Sequence, residues 1–279
     1  MKTLKPIAGI LAAVISVASC TKEGEGTDSA TRAGYVDVTV EGSVPATKVT
    51  LDDATPLWQK GDKIGVFTSE LVLCPAFQAD AGNAASTTFS GQKPEYSVLS
   101  YAFYPYDASA TYSKSGMCLT LPRKQSGRIR DAVMVANGNE KDGFHFHTVT
   151  SVIRFKVPAS LNVRKVEIVR DDRVSGPFTV NADSFDVTAT APSTYLDSRA
   201  EIDWTSAMSG EYVIAVLPST SKKLEMAITN GAGKVAFVSK DFTSGNAFVA
   251  GRIKNLGTVP TTLTFHDAAL VADPTNTQL

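Results

Sequence analysis

A pair of histidines two residues apart is the feature of this sequence that comes nearest to a metal site. On a strand, His145 and His147 would point to the same face, because side chains alternate along a strand. A zinc site needs at least three protein ligands, and the remaining histidine, His266, lies near the C-terminal end of the sequence. We therefore expect the pair to pack at the start of a strand, and we predict no metal site and no cofactor.

Catalytic motifs are absent from the sequence. It has no G-x-S-x-G nucleophile elbow, no phosphate-binding loop and no G-x-G-x-x-G turn. The formal net charge is −1, and lysine and arginine form no long run. This charge pattern excludes a surface that binds nucleic acid through bulk positive charge. We predict a protein that is neither an enzyme nor a nucleic-acid-binding protein.

Strands are the elements that would have to position any site. The sequence has 28 Val and 29 Thr against 17 Leu, and β-branched residues fit a pleated strand better than a helix. Val36, Val38 and Val40 alternate with polar residues, which is typical of a half-buried strand. Tyr212–Leu217 is a continuous apolar run, as in a central strand. The pattern indicates an all-β protein.

The polar run Gly138–Gly143 divides this series of strands nearly in half. We therefore predict two tandem antiparallel β-sandwiches, over residues 34–142 and 143–262, followed by a tail over residues 263–279. The alternating segment Thr261–Phe265 at the end of the second half is either a donor strand for a neighbouring chain or a frayed terminus.

The first twenty residues have the three parts of an export signal. Lys2 and Lys5 precede an apolar run, Ile7–Val17, which at about eleven residues is too short to span a membrane. Small residues then lead to Cys20, an arrangement that resembles a bacterial lipobox and implies cleavage after Ser19 and acylation of Cys20. We expect a signal peptide over residues 1–19 and a flexible polar tether over residues 20–33. The membrane would then be a partner through the lipid on Cys20.

The two other cysteines both fall in the first predicted domain. An exported protein permits a disulfide, and a bond between Cys74 and Cys118 would close a loop of about 44 residues and contribute roughly 4 kcal/mol. Two buried free thiols are the alternative. The residues leave both alternatives open.

Several segments, taken in order along the chain, resemble the fimbrillin family of Bacteroidetes lipoproteins, which includes subunits of type V pili. Leu57–Phe67 is similar to that family's W-x-x-G-D-x-I-x-V segment, and Phe103–Tyr106 to its aromatic-Pro-aromatic strand end. Asp131–Ala136 is similar to its D-x-M-x-A strand, and Phe146–Phe155 to the start of its second domain.

The resemblance implies a pair of transthyretin-like sandwiches in a structural or adhesive surface lipoprotein, and it carries no catalytic residue. It also implies assembly in which an Arg-specific protease removes the first strand and a strand of a neighbouring fimbrial subunit fills the groove. Lys22–Glu25 is either a signal for surface exposure of the kind found in Bacteroidetes lipoproteins or a plain solvated linker.

The sequence departs from the family at the processing site. The basic residue that follows the first strand is Lys48, whereas the nearby Arg32 precedes the strand. Cleavage after Arg32 would remove the tether and leave the groove occupied. We therefore expect either cleavage after Lys48 by a protease of another specificity or a subunit that keeps its first strand.

Two functions follow as expectations. The first is an outer-membrane lipoprotein, exposed on the cell surface or in a pilus, that acts as a fimbrial subunit or anchor. The alternative is a lipid-anchored module that does not polymerise and that binds carbohydrate or protein on host or bacterial surfaces.

Overall fold

The computed structural model describes residues 34–44, 57–189, 191–243 and 248–268. These residues form strands and three short 3-10 helices, so the predicted all-β class is confirmed. The helices are Ile129–Asp131, Ala159–Leu161 and Tyr195–Ser198. The strands are β1 (Tyr35–Ser43), β2 (Lys63–Thr68), β3 (Phe77–Ala79), β4 (Ser86–Pro94), β5 (Leu99–Tyr104), β6 (Thr111–Ser113), β7 (Gly116–Leu121), β8 (Lys124–Gln125), β9 (Met134–Asn139), β10 (Gly143–His145), β11 (His147–Thr148), β12 (Ser151–Val157), β13 (Val163–Val169), β14 (Gly176–Val180), β15 (Val187–Thr188), β16 (Arg199–Met208), β17 (Gly210–Val216), β18 (Lys223–Asn230), β19 (Lys234–Asp241), β20 (Ile253–Thr258) and β21 (His266–Asp267).

The N-terminal strands form a sheet that closes on itself. Their order is β10-β1-β4-β3-β2-β5-β9, and β9 pairs in turn with β10. Alternation along the strands turns one set of side chains into the enclosed core, which is rich in aromatic rings. That core includes Val40, Trp58, Ile64, Val66, Phe77, Phe89, Leu99, Tyr104, Phe144 and Phe146.

The closure differs from the antiparallel sandwich predicted for residues 34–142. β1 runs parallel to β10, with Gly42 opposite Phe144. The polar run Gly138–Gly143 is the β9–β10 hairpin that completes the closed sheet. Glycine is needed there, because a Cβ at Gly138 would lie 2.1 Å from the Gly143 carbonyl oxygen. The alternating pattern shows which side chains face inward, but it does not show which strands pair.

The C-terminal strands form two sheets that face each other. One has the order β17-β12-β20 and the other β21-β19-β18-β13-β16-β8. Their facing side chains form an aliphatic core in which Phe155 and Phe248 are the aromatic residues. The other face of β12 and β17, which carries Val152 and Ala215, packs into a second buried cluster. This two-sided burial explains the continuous apolar run of β17. The expected central position is wrong, because β17 lies at the edge of its three-stranded sheet.

A further sheet, β15-β14-β7-β6, joins strands from both halves of the chain. β7 and β14 share five paired positions, from Gly176–Leu121 to Val180–Met117. The core beneath this sheet contains side chains of both halves, among them Phe67 and Phe178. The predicted boundary between residues 142 and 143 separates these paired strands in sequence, and the domain division stays a prediction.

Among the described residues, no helix has the length and hydropathy needed to cross a membrane.

Candidate functional site: the first strand and its groove

β1 is held by neighbours on both sides. It pairs antiparallel with β4 at nine positions, from Tyr35–Pro94 to Ser43–Ser86. On its other side it pairs with β10 at Gly42 and Ser43, and the Phe146 amide donates to the Ser43 carbonyl oxygen at 3.0 Å. The groove that holds β1 is therefore lined by β4, β10 and the aromatic core of the closed sheet.

The C-terminal half of β1 is the part that lies deep in this groove. Val40 is 1% exposed and Val44 is 9% exposed. Gly42 lies between them, where a Cβ would be 2.6 Å from Phe89 Cε2 and 3.4 Å from Phe146 Cε2. Only glycine leaves the two rings where they are. The groove therefore selects a segment with an apolar residue, a glycine and another apolar residue at alternate positions.

Trp58 fastens this half of the strand to the core. Its indole Nε1 donates a buried hydrogen bond of 3.0 Å to the Gly42 carbonyl oxygen. Its ring meets Phe89, Tyr104 and Phe146 edge to face, with centroids 4.9 to 5.3 Å apart. Trp58 is thus the centre of the aromatic cluster and also a direct partner of the first strand.

The Gly61–Asp62 turn holds the segment of Trp58 in place. Asp62 Oδ2 accepts from the Gln59 amide at 2.8 Å, and the Asp62 amide donates to the Gln59 carbonyl oxygen at 2.9 Å. The Arg130 guanidinium pairs with the same carboxylate, which is 4% exposed. Gly61 has φ +87°, which favours glycine. The segment that follows Trp58 therefore forms a tight turn.

The N-terminal half of β1 lies nearer the surface. Val36 and Val38 are half-buried, and the polar side chains between them face solvent. Asp37 accepts from Gln92 Nε2 at 3.0 Å, and the hydroxyl groups of Thr39 and Ser90 lie 3.3 Å apart. Within the described residues, this half pairs with β4 alone. The pairing with β10 is therefore at the C-terminal end of the strand.

Three predicted site residues lie outside the described residues: the lipidation site Cys20 and the processing candidates Arg32 and Lys48. Their roles stay predictions. Lys48 follows the last described residue of the β1 region, Val44, by four positions.

Cys74 and Cys118 are not bonded to each other in this structure, in which Cys74 is buried and Cys118 half-buried. Cys74 lies in the core of the closed sheet, and burial raises the pKa of its thiol to about 11. Cys118 is on β7, with its Sγ 3.9 Å from the hydroxyl oxygen of Thr179 on β14. The disulfide stays a prediction, because spacing in the sequence carries no information on where in the fold each cysteine lies.

The two histidines have separate contacts. His145 ends β10, and its Nδ1 lies 2.8 Å from Ser43 Oγ on β1. The His147 ring stacks on Phe185 with centroids 4.0 Å apart. Partial burial and the nearby His145 lower the pKa of His147. Among the residues that the structure describes, no three His, Cys, Asp or Glu side chains come together as metal ligands.

Gly42 is the residue of this site that the sequence analysis missed. It continues the series Val36, Val38, Val40 on the inward face. An isolated glycine within a strand pattern signals a close approach of another group to the backbone, so the signal was present.

The segment that precedes the C-terminal residues packs on the protein, at least as far as residue 267. Leu263 and Phe265 lie against the C-terminal core, and β21 pairs with β19. The Lys234 ammonium is 3.4 Å from the Asp267 carboxylate. The described part of the predicted tail is therefore a docked strand rather than a frayed end.

No family model matches the sequence, and no curated protein matches it either. The fold is similar to that of a putative cell adhesion protein from Bacteroides ovatus, with 13% identity and a TM-score of 0.52, over 83% of this chain and 95% of that one. A putative cell adhesion protein from Bacteroides uniformis has 17% identity and a TM-score of 0.48, over 87% and 99% of the two chains. A fimbrial assembly protein from Parabacteroides distasonis has 10% identity and a TM-score of 0.40, over 84% and 96%.

At such low identity these likenesses concern the fold. At that level the chain shares the fold of a putative cell adhesion protein from Bacteroides ovatus.

Proposed function

We propose that this chain is a structural or adhesive component of a surface fimbrium, a subunit or an anchor, and not an enzyme. The observation that carries the proposal is β1: an N-terminal strand whose last residues fill an apolar groove. The ordered motifs and the fold shared with a putative cell adhesion protein support it.

Strand exchange is the assembly mechanism that this groove suits. Withdrawal of β1 would expose the edge of β4 and the rings of Phe89 and Phe146. An unpaired edge beside an apolar groove binds an added strand, because main-chain hydrogen bonds supply affinity and the pockets supply specificity. The incoming strand of a neighbouring subunit would need glycine at the position of Gly42.

Lipid anchoring through Cys20 completes the proposal. The lipobox-like residues before Cys20 support export and acylation, and the chain would then sit in the outer membrane with its folded part exposed on the cell surface. The two facing C-terminal sheets support a transthyretin-like sandwich for residues 143–262.

Processing can be tested by N-terminal sequencing of protein recovered from surface filaments, with Lys48→Ala and Arg32→Ala as matched variants. A start at Val49 that is lost in Lys48→Ala supports strand removal and polymerisation. An acylated Cys20 retained in the filaments argues against removal of the strand. A start at Ala33 would mean that the tether is cut while β1 remains.

A lipid-anchored binding module that does not polymerise is the second candidate. The observation that favours it is that β1 pairs on both sides and receives the Trp58 hydrogen bond, so its removal opens a closed sheet. Electron microscopy of shed surface material with antibody to this chain separates the two. Labelled filaments support the fimbrial role, and diffuse label on the cell surface supports the binding module.

A further inference from the structure

One end of the closed sheet carries a group of large apolar side chains in solvent. Tyr96 is 91% exposed, Val98 53%, Val72 46% and Leu71 40%. We call these four residues the apolar rim. They lie in two loops, 69–72 after β2 and 95–98 between β4 and β5.

The two loops lie together at the end where β1 begins. Tyr35, the first residue of β1, is opposite Pro94, the last residue of β4. Thr68, the last residue of β2, is opposite Leu99, the first of β5. The Ser69 amide donates to the Val98 carbonyl oxygen at 2.7 Å and so joins the loops directly.

The rim is built to hold its side chains outward. Tyr96 has φ 67° and Leu71 has φ 64°, a backbone conformation that bulky residues rarely adopt. The Ser97 hydroxyl donates to the Pro94 carbonyl oxygen at 2.6 Å, and Lys93 Nζ donates to the Ser97 carbonyl oxygen at 2.6 Å. Strain of this kind persists where the surroundings enforce it, and it is often linked to function.

The chain enters the fold at the same end. The Glu95 amide donates to the Gly34 carbonyl oxygen at 2.9 Å, beside Tyr96. Fourteen residues separate this point from the proposed lipid anchor, counting Cys20 itself. A chain of that length spans at most about 50 Å. A tether of that length keeps the rim at high effective concentration near the membrane.

From these observations we infer that the apolar rim docks on the lipid surface that holds the anchor. Tyrosine favours the boundary between lipid and water, since its ring is apolar and its hydroxyl stays hydrated. The exposed carboxylates of Glu70 and Glu95 flank the rim, so apolar contact with a zwitterionic surface fits better than attraction to anionic lipid. This inference rests on the proposed anchoring through Cys20. It gives the folded part a fixed orientation, with the start of β1 toward the membrane.

The test uses full-length lipidated protein in phosphatidylcholine vesicles that contain brominated phosphatidylcholine, which quenches tryptophan near the bilayer. In the variant Tyr96→Trp, we expect the added fluorescence to shift to shorter wavelength and to be lost as the brominated lipid fraction rises. The matched control is Tyr195→Trp, which is 70% exposed in the 3-10 helix before β16. Trp58 and Trp204 contribute the same background to both variants.

Flotation of the vesicles separates this inference from the proposed anchoring. Protein that floats, with quenching of Tyr96→Trp and not of Tyr195→Trp, supports docking of the rim. Protein that floats with no quenching, or with equal quenching of both variants, overturns docking and leaves the anchor intact. Wild-type protein that floats no better than Cys20→Ser overturns the anchoring and the docking with it.

Discussion

At the scale of single residues, Gly42 and Trp58 hold the first strand in place. Glycine leaves room for Phe89 and Phe146, and the indole N–H reaches the glycine carbonyl oxygen. A buried hydrogen bond of this kind is costly to remove, because the acceptor loses its partner away from water. These two residues therefore determine how firmly β1 stays in its groove.

We expect Trp58→Phe to lower the free energy of unfolding by about 1–3 kcal/mol, from the lost hydrogen bond and the smaller ring. The half-buried Trp204 has an edge-to-face contact with Tyr212, and Trp204→Phe is the control. Urea unfolding followed by circular dichroism measures both. A cost at Trp58 no larger than at Trp204 would contradict the role assigned to the indole N–H.

The cysteines give a second prediction at this scale. A thiol with a pKa of about 11 is roughly one part in a thousand thiolate at pH 8, and Cys74 is also 0% exposed. In protein with Cys20→Ser, iodoacetamide should therefore modify Cys118 much faster than Cys74, with Cys74 reacting only after unfolding.

Mass spectrometry without reductant follows the alkylation, and Cys118→Ser is the control in which no fast reaction remains. If neither Cys74 nor Cys118 were alkylated even in denaturant, the two cysteines would be joined by a disulfide.

At the scale of elements, β1 is the part on which the proposed assembly depends. Its C-terminal half is enclosed by β4 and β10, whereas its first residues pair with β4 along one edge. In the proposed strand exchange, the buried end of β1 would have to be replaced by a similar segment. The glycine position makes that replacement selective.

We expect protein that starts at Val49 to lose cooperative thermal unfolding of the closed sheet and to regain it when a peptide of residues 34–44 is added. The same peptide with Gly42→Leu should fail, because its side chain would collide with Phe89. Circular dichroism during heating gives the measurement. Equal rescue by both peptides, or no dependence on peptide, would show that the groove does not select its strand.

At the scale of the whole molecule, the two halves of the chain share a sheet and a core. β7 pairs with β14, β8 pairs with β16, and the core beneath them draws on both halves. Apolar burial and main-chain pairing of this extent resist separation. These contacts link the predicted domains 34–142 and 143–262 through one sheet and one core.

A protease site inserted after Lys141, in the β9–β10 turn, tests this arrangement. After cleavage, the two fragments should elute together from gel filtration under native conditions, because the β7–β14 pairing and the shared core remain. The same sample in 6–8 M urea, well above the usual unfolding range, should separate and so confirms complete cleavage. Separation without denaturant would favour two independent domains.

The sequence by itself determined the strand content and the inward face of β1. These features depend on residue type and on contacts between near neighbours in the chain, since side-chain alternation and turn chemistry are local. The motifs that resemble fimbrial proteins are also local, because each is a short continuous segment of the sequence.

Tertiary structure alone decided that β1 runs parallel to β10, that the Gly138–Gly143 run is a closing hairpin, and that Cys74 is buried in the core of the closed sheet whereas Cys118 is half-buried on β7. It also placed the apolar rim beside the start of the chain. Each of these depends on pairing between segments far apart in sequence. The alternating pattern is the same whichever partner a strand has, so only the register of the folded chain fixes the groove and what can fill it.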